Sequence, residues 1–179
     1  MKEIEAKILD IDPEAVEKRL RGLGARKIFE GEVTGIQFDR GRGNLRKRGE
    51  QLRLRRHGDE VQLTFKKATR RGRVRTSKEF QVTVSDFEMT GRILKAIGFR
   101  SSPAITKERT SYQLGKVRIE IDRYPSLAPL IEIEAPSEEQ IVRVTRQLGF
   151  DPKRLKHATG AEIMAAQRRE REKTARDPA

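Results

Sequence analysis

Charged and apolar residues alternate one by one at the start of the chain, and this pattern restricts the possible fold more than any other feature. It is clearest in the run Glu3-Ile4-Glu5-Ala6-Lys7. Side chains on a strand point alternately to its two faces, so the run predicts a strand with one charged face and one apolar face. Neighbouring carboxylates repel each other unless a positive charge lies between them. The segment therefore indicates a site for a divalent cation, and Lys7 could hold an anion bound to that cation.

The same alternation recurs along the chain and predicts eight strands. They cover approximately residues 2–9, 25–39, 51–55, 61–66, 77–84, 99–113, 117–122 and 130–134. Their polar faces carry seven cations and seven anions, namely Lys7, Arg53, Arg55, Lys66, Lys107, Arg109, Arg118, Glu3, Glu5, Glu79, Glu120, Asp122, Glu132 and Glu134. A half-solvated antiparallel sheet also alternates, but charges at consecutive face positions on several strands favour a closed sheet with a charged interior. Such an interior needs a charged ligand, such as a hard divalent cation with phosphate oxygens.

Capping signals predict helices between these strands. Asp12 precedes Pro13, and Ser137 heads an S-x-x-Q pattern, which are both N-terminal signals. The predicted fold class is therefore α+β, an eight-stranded antiparallel barrel with helices packed on the outside. We expect one domain over residues 1–165 and a charged, helical or disordered tail over residues 166–179.

A third helix is predicted to begin at Ser85, which heads a capping box. Met89, Ile93 and Ile97 recur every four residues, so they are expected to form its face toward the core. A short final helix is predicted after Thr159.

Composition narrows the class of partner. The chain has 40 Lys and Arg against 27 Asp and Glu, a formal net charge of +13, which favours anionic partners. It has no cysteine, which excludes disulfides, thiolate zinc sites and a cysteine nucleophile, and a cytoplasmic location is expected. No apolar run approaches the roughly 18 residues of a membrane span, and no signal segment is recognisable, so no membrane attachment is expected.

The ordered charged motifs resemble those of the CYTH superfamily, the triphosphate tunnel metalloenzymes. Glu3-x-Glu5-x-Lys7 is similar to the ExExK signature of that family. The further matches, in the family's order, are Gln37-Phe38-Asp39, Leu52-Arg53-Leu54-Arg55, Lys66, Glu79, Lys107-x-Arg109, Glu120-x-Asp122 and Glu132-x-Glu134. The resemblance implies an eight-stranded tunnel that binds a small-molecule triphosphate with Mg²⁺ or Mn²⁺. Related proteins are often monomers or dimers, so a monomer or homodimer is expected.

The resemblance also implies roles for individual residues. The implied metal ligands are Glu3, Glu5, Glu120, Asp122, Glu132 and Glu134. The implied triphosphate-binding residues are Lys7, Arg53, Arg55, Lys66, Lys107, Arg109 and Arg118. The implied catalytic residues are Lys7, Lys66, Glu79, Lys107 and Arg109. Gln81 stands where many members carry a second acid after Glu79, which weakens the case for a complete second metal site.

Two reactions use such a site. In hydrolysis, water attacks a phosphorus atom of the triphosphate; in cyclisation, the 3′-hydroxyl of the nucleotide attacks the α-phosphorus and pyrophosphate leaves. Cyclisation also needs a pocket that recognises the base, and the sequence identifies none. The prediction is therefore hydrolysis of tripolyphosphate, thiamine triphosphate or a nucleoside triphosphate, with a class IV adenylyl cyclase that makes cyclic AMP as the alternative.

A different class of function, a non-catalytic module that binds polyphosphate or RNA, also stays open. The basic loops at residues 40–48 and 66–75 motivate it, because clustered Arg and Lys bind phosphate backbones. Tyr112 and Tyr124 lie outside both loops, so the loops offer no aromatic platform on which bases would stack. Binding of nucleic acid is accordingly the less favoured reading.

Overall fold

The strands and helices follow the predicted order along the chain. The structure, a computed structural model, describes residues 2–41, 43–71, 74–125, 127–157 and 163. The strands are β1 (Lys2–Leu9), β2 (Arg26–Asp39), β3 (Glu50–His57), β4 (Glu60–Arg71), β5 (Arg75–Val84), β6 (Arg100–Ser101), β7 (Ile105–Leu114), β8 (Val117–Arg123) and β9 (Leu130–Glu134). The helices are α1 (Pro13–Gly22), α2 (Asn44–Lys47), α3 (Phe87–Ala96) and α4 (Glu138–Gln147), with a 3-10 turn at Pro152–Arg154.

Eight of the strands close into a ring. Their order is β3-β4-β5-β1-β9-β8-β7-β2, and β2 also pairs with β3, so the two ends of the sheet meet. Every pairing is antiparallel, and the two-residue β6 lies only beside the end of β2. The predicted eight-stranded antiparallel barrel with helices outside is therefore confirmed.

The apolar faces of most strands point away from the barrel axis and are covered by helices, whereas Phe80 and Val82 of β5 are exposed. α1 and α4 pack over β1, β8 and β9, and form one cluster with them. Its largest fully buried members include Ile8, Leu20, Ile131, Ile141 and Leu148. Burial of each such side chain contributes about 1.5–3 kcal/mol, and it fixes which face of each strand is left for the interior. The charged faces therefore turn inward.

Helix α3 packs over the other side of the barrel, but with a different face from the one predicted. Phe87, Gly91 and Leu94 are buried, whereas the predicted core residues Met89, Ile93 and Ile97 are exposed. A Cβ atom at Gly91 would lie 3.7 Å from Leu54 Cδ2, at ordinary van der Waals distance, so Gly91 belongs to the face that packs against β3. The sequence pattern concealed this face because a glycine does not register as apolar.

The N-terminus of α3 also begins one residue later than predicted. The carboxylate of Asp86, not the hydroxyl of Ser85, caps the helix and accepts a hydrogen bond of 2.7 Å from the amide of Met89. Asp and Ser are about equally good N-caps, so two adjacent candidates could not be separated by type alone.

Two further predictions need correction. The predicted strand over residues 99–113 is split into β6 and β7 around Pro103, which has no amide hydrogen for a ladder. The predicted loop after residue 40 contains α2, whose first turn is held by Asp39: its carboxylate accepts hydrogen bonds from the amides of Leu45 (2.9 Å) and Arg46 (3.3 Å).

The last predicted helix after Thr159 and the tail at 166–179 lie outside the described residues. Among the helices that the structure describes, none is long and apolar enough to cross a membrane.

Two neighbouring residues of α3 provide a test of its packing. Leu94→Ala should lower the free energy of unfolding by about 2–4 kcal/mol, because it opens a cavity between helix and barrel. Ile93→Ala, at a side chain that is 53% exposed, should change it by less than about 0.5 kcal/mol. Urea unfolding of both variants measures this; an equal loss for the two would contradict the observed face.

Candidate functional site

The barrel encloses a cavity of about 720 Å³ whose wall is dominated by charged side chains. Eight cations line it, namely Lys7, Arg53, Arg55, Lys66, Arg75, Lys107, Arg109 and Arg118. Six carboxylates line it, namely Glu3, Glu5, Glu79, Glu120, Glu132 and Glu134. The structure thus brings together all of the predicted site residues except Asp122, and it adds Arg75.

The two kinds of charge are unevenly distributed around the ring. Strands β1, β9 and β8 are consecutive and supply most of the carboxylates, and this part of the wall is the acidic side of the cavity. Glu5 lies opposite Glu134 in the register of β1 and β9. Strand β3 lies four places from β9 in the eight-stranded ring, and therefore on the opposite side. Arg53 and Arg55 of β3 consequently face the carboxylates of β9 across the cavity.

Glu3 is held firmly by its neighbours. Lys66 Nζ lies 2.5 Å from Glu3 Oε1 and 3.1 Å from Glu79 Oε2, and the hydroxyl of Ser77 donates a hydrogen bond of 2.9 Å to Glu3 Oε2. Burial opposes ionisation, but Lys66 prevails and lowers the pKa of Glu3. Glu3 therefore presents a charged carboxylate to the cavity.

Glu5 and Glu132 form the most unusual pair of the acidic side. Burial raises the pKa of Glu5 to about 7, and the nearby Glu132 carboxylate contributes to the rise, although Lys7 opposes it. Lys7 bridges the two carboxyl groups, with Nζ 3.4 Å from Glu5 Oε1 and 3.1 Å from Glu132 Oε1. Near neutral pH this buried acid pair therefore retains a proton, and a further positive charge beside it would be stabilised.

The acidic side suits a hard divalent cation in its donor chemistry. Burial and the nearby Glu3 also raise the pKa of Glu134 to about 7. Glu134 is therefore a second carboxyl group that the surrounding cations neutralise incompletely. Carboxylate oxygens are the ligands that Mg²⁺ and Mn²⁺ prefer. Within the part of the chain that the structure describes, however, no three such groups converge as in a formed metal centre. The lysine and arginine contacts of Glu3 and Glu5 explain this, because they hold the carboxylates toward the protein's own cations.

Asp122 lies behind the cavity wall, where it binds two of the cations that line the cavity. It is 1% exposed, and both of its oxygens are bound by Arg109, through Nε and Nη2 at 2.7 Å each. Lys107 Nζ lies 2.5 Å from the same carboxylate. Asp122 was expected as a metal ligand, but the structure places it where it orients two cations toward the cavity, and Arg109 also contacts Glu120.

Arg53, Arg55 and Arg118 have no ion pair with a carboxylate within the described residues, and of these three Arg53 and Arg55 are partly buried whereas Arg118 is exposed. The Nε atoms of Arg53 and Arg55 are buried without hydrogen-bond partners among the described residues, and Arg55 Nη2 donates only to the neutral Gln62, at 2.6 Å. Burial and the neighbouring Arg53 and Arg109 lower the pKa of Arg55. Two partly buried guanidinium groups, each with a buried Nε donor that is unused, form a site for an anion, and their planar donor sets match phosphate oxygens.

A small apolar surface interrupts the charged lining on β2 and β7. Val33 and Gly35 lie beside Lys107 and Ile105 in the strand register, and all four line the cavity. Tyr124 borders this surface, with its hydroxyl 3.2 Å from Lys107 Nζ. The sequence analysis missed it, because single apolar residues within a polar face give no periodic signal.

Arg75 was also missed, although a signal for it exists. Arg75, Ser77 and Glu79 share the spacing of two that marks one face of a strand. The predicted strand began only at residue 77, so Arg75 was assigned to the preceding basic loop.

Comparison with known proteins identifies the family. A family model described as the CYTH domain matches residues 1–159. The chain belongs to the CYTH family. It is 28% identical over 134 residues to a Methanocaldococcus jannaschii protein named "putative adenylate cyclase", and the match covers 75% of this chain and 77% of that protein.

Two solved structures share the barrel of this CYTH protein. One is a "putative adenylate cyclase" from Vibrio parahaemolyticus, with a TM-score of 0.80, 15% identity, and coverage of 91% of this chain and 97% of the other. The second is a "putative adenylyl cyclase" from Hippeastrum that has a dominant triphosphatase activity, with a TM-score of 0.69, 15% identity, and coverage of 92% and 96%. At these identities the likeness establishes the common fold.

His57, at the end of β3, generates a prediction about pH. Its ring stacks on Phe29 with a centroid separation of 3.8 Å, and burial, aided by Arg55 and Arg109, lowers its pKa to about 4. The folded protein thus holds His57 neutral, whereas the unfolded chain takes up a proton below about pH 6.5. The stability from the neutral ring is present above pH 6.5 and should be lost as the pH falls from 6.5 toward 4.

Urea midpoints of the wild type and of His57→Phe, measured between pH 7.5 and 4.5, test this. The variant keeps the stacking and cannot titrate, so its midpoint should fall less over this interval. Parallel curves for the two proteins would show that His57 does not contribute to the pH dependence.

Proposed function

We propose that this CYTH protein is a metal-dependent triphosphatase. The observation that carries the proposal is the opposition of unpaired guanidinium groups and clustered carboxylates across one enclosed cavity. A metal–triphosphate has the complementary charge distribution, because its phosphate oxygens suit the arginines and its cation suits the acids. The net charge of +13 favours the approach of such an anion.

Each side chain has a role that follows from its surroundings. Arg53 and Arg55 bind the phosphate oxygens, because they are partly buried cations that have no carboxylate partner in the described chain and have a buried Nε donor without a hydrogen bond there. Arg109 and Lys107, fixed in place by Asp122, neutralise the charge that develops as a phosphoryl group leaves. Positioned charges of this kind need no reorganisation during the reaction.

The carboxylates Glu3, Glu5, Glu132 and Glu134 would hold Mg²⁺ or Mn²⁺, the ions on which tunnel proteins of this family generally depend. The ion would withdraw charge from the phosphate oxygens when bound. To Glu79, which lines the cavity 3.1 Å from Lys66, we assign the acceptance of a hydrogen bond from the attacking water. Gln81 accepts a hydrogen bond from Thr64 at 3.2 Å and is neutral, so we assign it no metal.

A second candidate function is cyclisation of ATP to cyclic AMP and pyrophosphate. The name of the Methanocaldococcus relative points to it, and the apolar surface of Val33, Gly35 and Ile105 beside Tyr124 could receive an organic group. We prefer hydrolysis because it needs only the charged part of the cavity. The dominant triphosphatase activity of the Hippeastrum enzyme, which shares the fold, agrees with this preference.

A product assay separates the two reactions. The protein is incubated with Mg²⁺ or Mn²⁺ and, separately, tripolyphosphate, thiamine triphosphate or ATP, while phosphate and cyclic AMP are measured in parallel. We expect phosphate release that EDTA abolishes and that Glu5→Gln reduces at least about 100-fold, since a metal-binding carboxylate is lost. Cyclic AMP from ATP with little phosphate would establish the second candidate instead, and full activity of Glu5→Gln would disprove the proposed metal site.

Adjacent arginines of β3 provide a matched test of phosphate binding. Arg55→Gln should lower kcat/KM for the active triphosphate about 100- to 1,000-fold, because it removes a preorganised donor from a buried site. Arg56→Gln removes the same charge one residue away, on the outer face, where Arg56 lies over the ring of Phe87. It should leave kcat/KM within about twofold. Equal losses in the two variants would indicate general attraction of anions rather than a specific cradle.

A further inference from the structure

Arg75 is a cavity-lining cation that neither the sequence motifs nor the proposed reaction uses. It is the first residue of β5, directly opposite Glu5 in the β1–β5 register. Its side chain is only 8% exposed, and Nη1 lies 3.6 Å from Glu5 Oε1. That separation is too long for a hydrogen bond, so the contact is a loose ion pair. The guanidinium has five donors, and this contact does not fix its orientation as a bidentate pair would.

Three cations surround Glu5, and Arg75 is the least firmly held of them. Lys7 also contacts Glu132 at 3.1 Å, and Lys66 contacts Glu3 at 2.5 Å. Among the residues that the structure describes, Glu5 is the only carboxylate with which Arg75 forms an ion pair. Arg75 can therefore move away from Glu5 without breaking a shorter ion pair to another carboxylate.

The position of Arg75 matters for a divalent cation on Glu5. Positive charges within a few ångströms repel each other strongly in a buried site. An arginine that stayed beside Glu5 would thus oppose metal binding there. Once released, the same guanidinium would be next to the metal and inside the cavity, where phosphate oxygens offer bidentate acceptors.

We propose that Arg75 is an internal counter-ion of Glu5 that yields this carboxylate to the divalent cation and then binds the phosphate chain. The proposal rests on the proposed function, since it assumes that both ligands enter this cavity. It makes Arg75 a positioning residue with opposite effects on the two ligands. Removal of its charge strengthens binding of the metal alone and weakens binding of the triphosphate that follows.

Calorimetric titration tests both effects without turnover. Mn²⁺ is titrated into the metal-free protein, and the non-hydrolysable imido analogue of tripolyphosphate is then titrated in the presence of Mn²⁺. For Arg75→Gln we expect Mn²⁺ to bind about tenfold more tightly and the analogue about tenfold more weakly than in the wild type. Arg75→Lys keeps the charge but not the planar donors, so it should bind Mn²⁺ like the wild type and the analogue more weakly.

Lys78→Gln is the matched control, because Lys78 lies on the same strand and is exposed on its outer face. It removes one positive charge and should change neither affinity more than about twofold. Thermal unfolding of each variant verifies that the fold is retained. Arg75→Gln with unchanged or weaker Mn²⁺ affinity, in a folded protein, would overturn the exchange of counter-ions.

The outcomes also separate this inference from the proposed function. A wild-type protein that binds Mn²⁺ and the analogue, together with an Arg75→Gln variant that behaves the same, disproves the role of Arg75 alone. A wild-type protein that binds neither ligand disproves the proposed function and this inference with it.

Discussion

The pairing of β2 with β3 is the constraint on which the rest of the site depends. β3 and β2 stand at the two ends of the order of the eight strands, so their pairing closes the sheet. Without it the sheet would be open, and the charged faces of β3 and β9 would look onto solvent at a distance from each other. Closure converts eight ordinary alternating strands into one enclosed space with acids and arginines on opposite sides. The apolar faces of β1, β8 and β9 then lie on the outside of the barrel, where α1 and α4 cover them.

Closure also imposes a cost, because it removes many charges from water. Buried charges are tolerated only with partners, and the cavity satisfies this requirement unevenly. Arg109 and Lys107 are neutralised by Asp122, and Lys66 by Glu3, so these groups are fixed before any ligand arrives. Arg53, Arg55 and the Glu5–Glu132 pair remain incompletely compensated. We assign the metal and the phosphate chain to these incompletely compensated groups together with Glu3 and Glu134, while Asp122 holds Arg109 and Lys107 in position.

The sequence predicted the fold well because a spacing of two residues reports directly on strand faces. It also identified nearly all of the cavity wall, since the charged residues of Glu3-x-Glu5-x-Lys7 and Arg53-x-Arg55 lie on inward faces. The sequence did not predict whether an inward-facing side chain lies on the cavity surface or behind it. Asp122 has the same spacing from Glu120 that Glu134 has from Glu132, yet it lies behind Arg109 rather than on the cavity surface. The exposure of a side chain to the cavity depends on how the side chains of adjacent strands pack against each other. The pattern of a single strand carries no information on this packing.

The distribution of partners implies that the two ligands bind cooperatively. In the metal-free protein the carboxylates are engaged by lysines and by Arg75, so a cation that binds them sets positive side chains free. An anion is then attracted both by the added cation and by the released side chains. Coupling between two sites is reciprocal, so the triphosphate must strengthen metal binding by the same factor. A cavity built in this way has no need of a preformed metal centre.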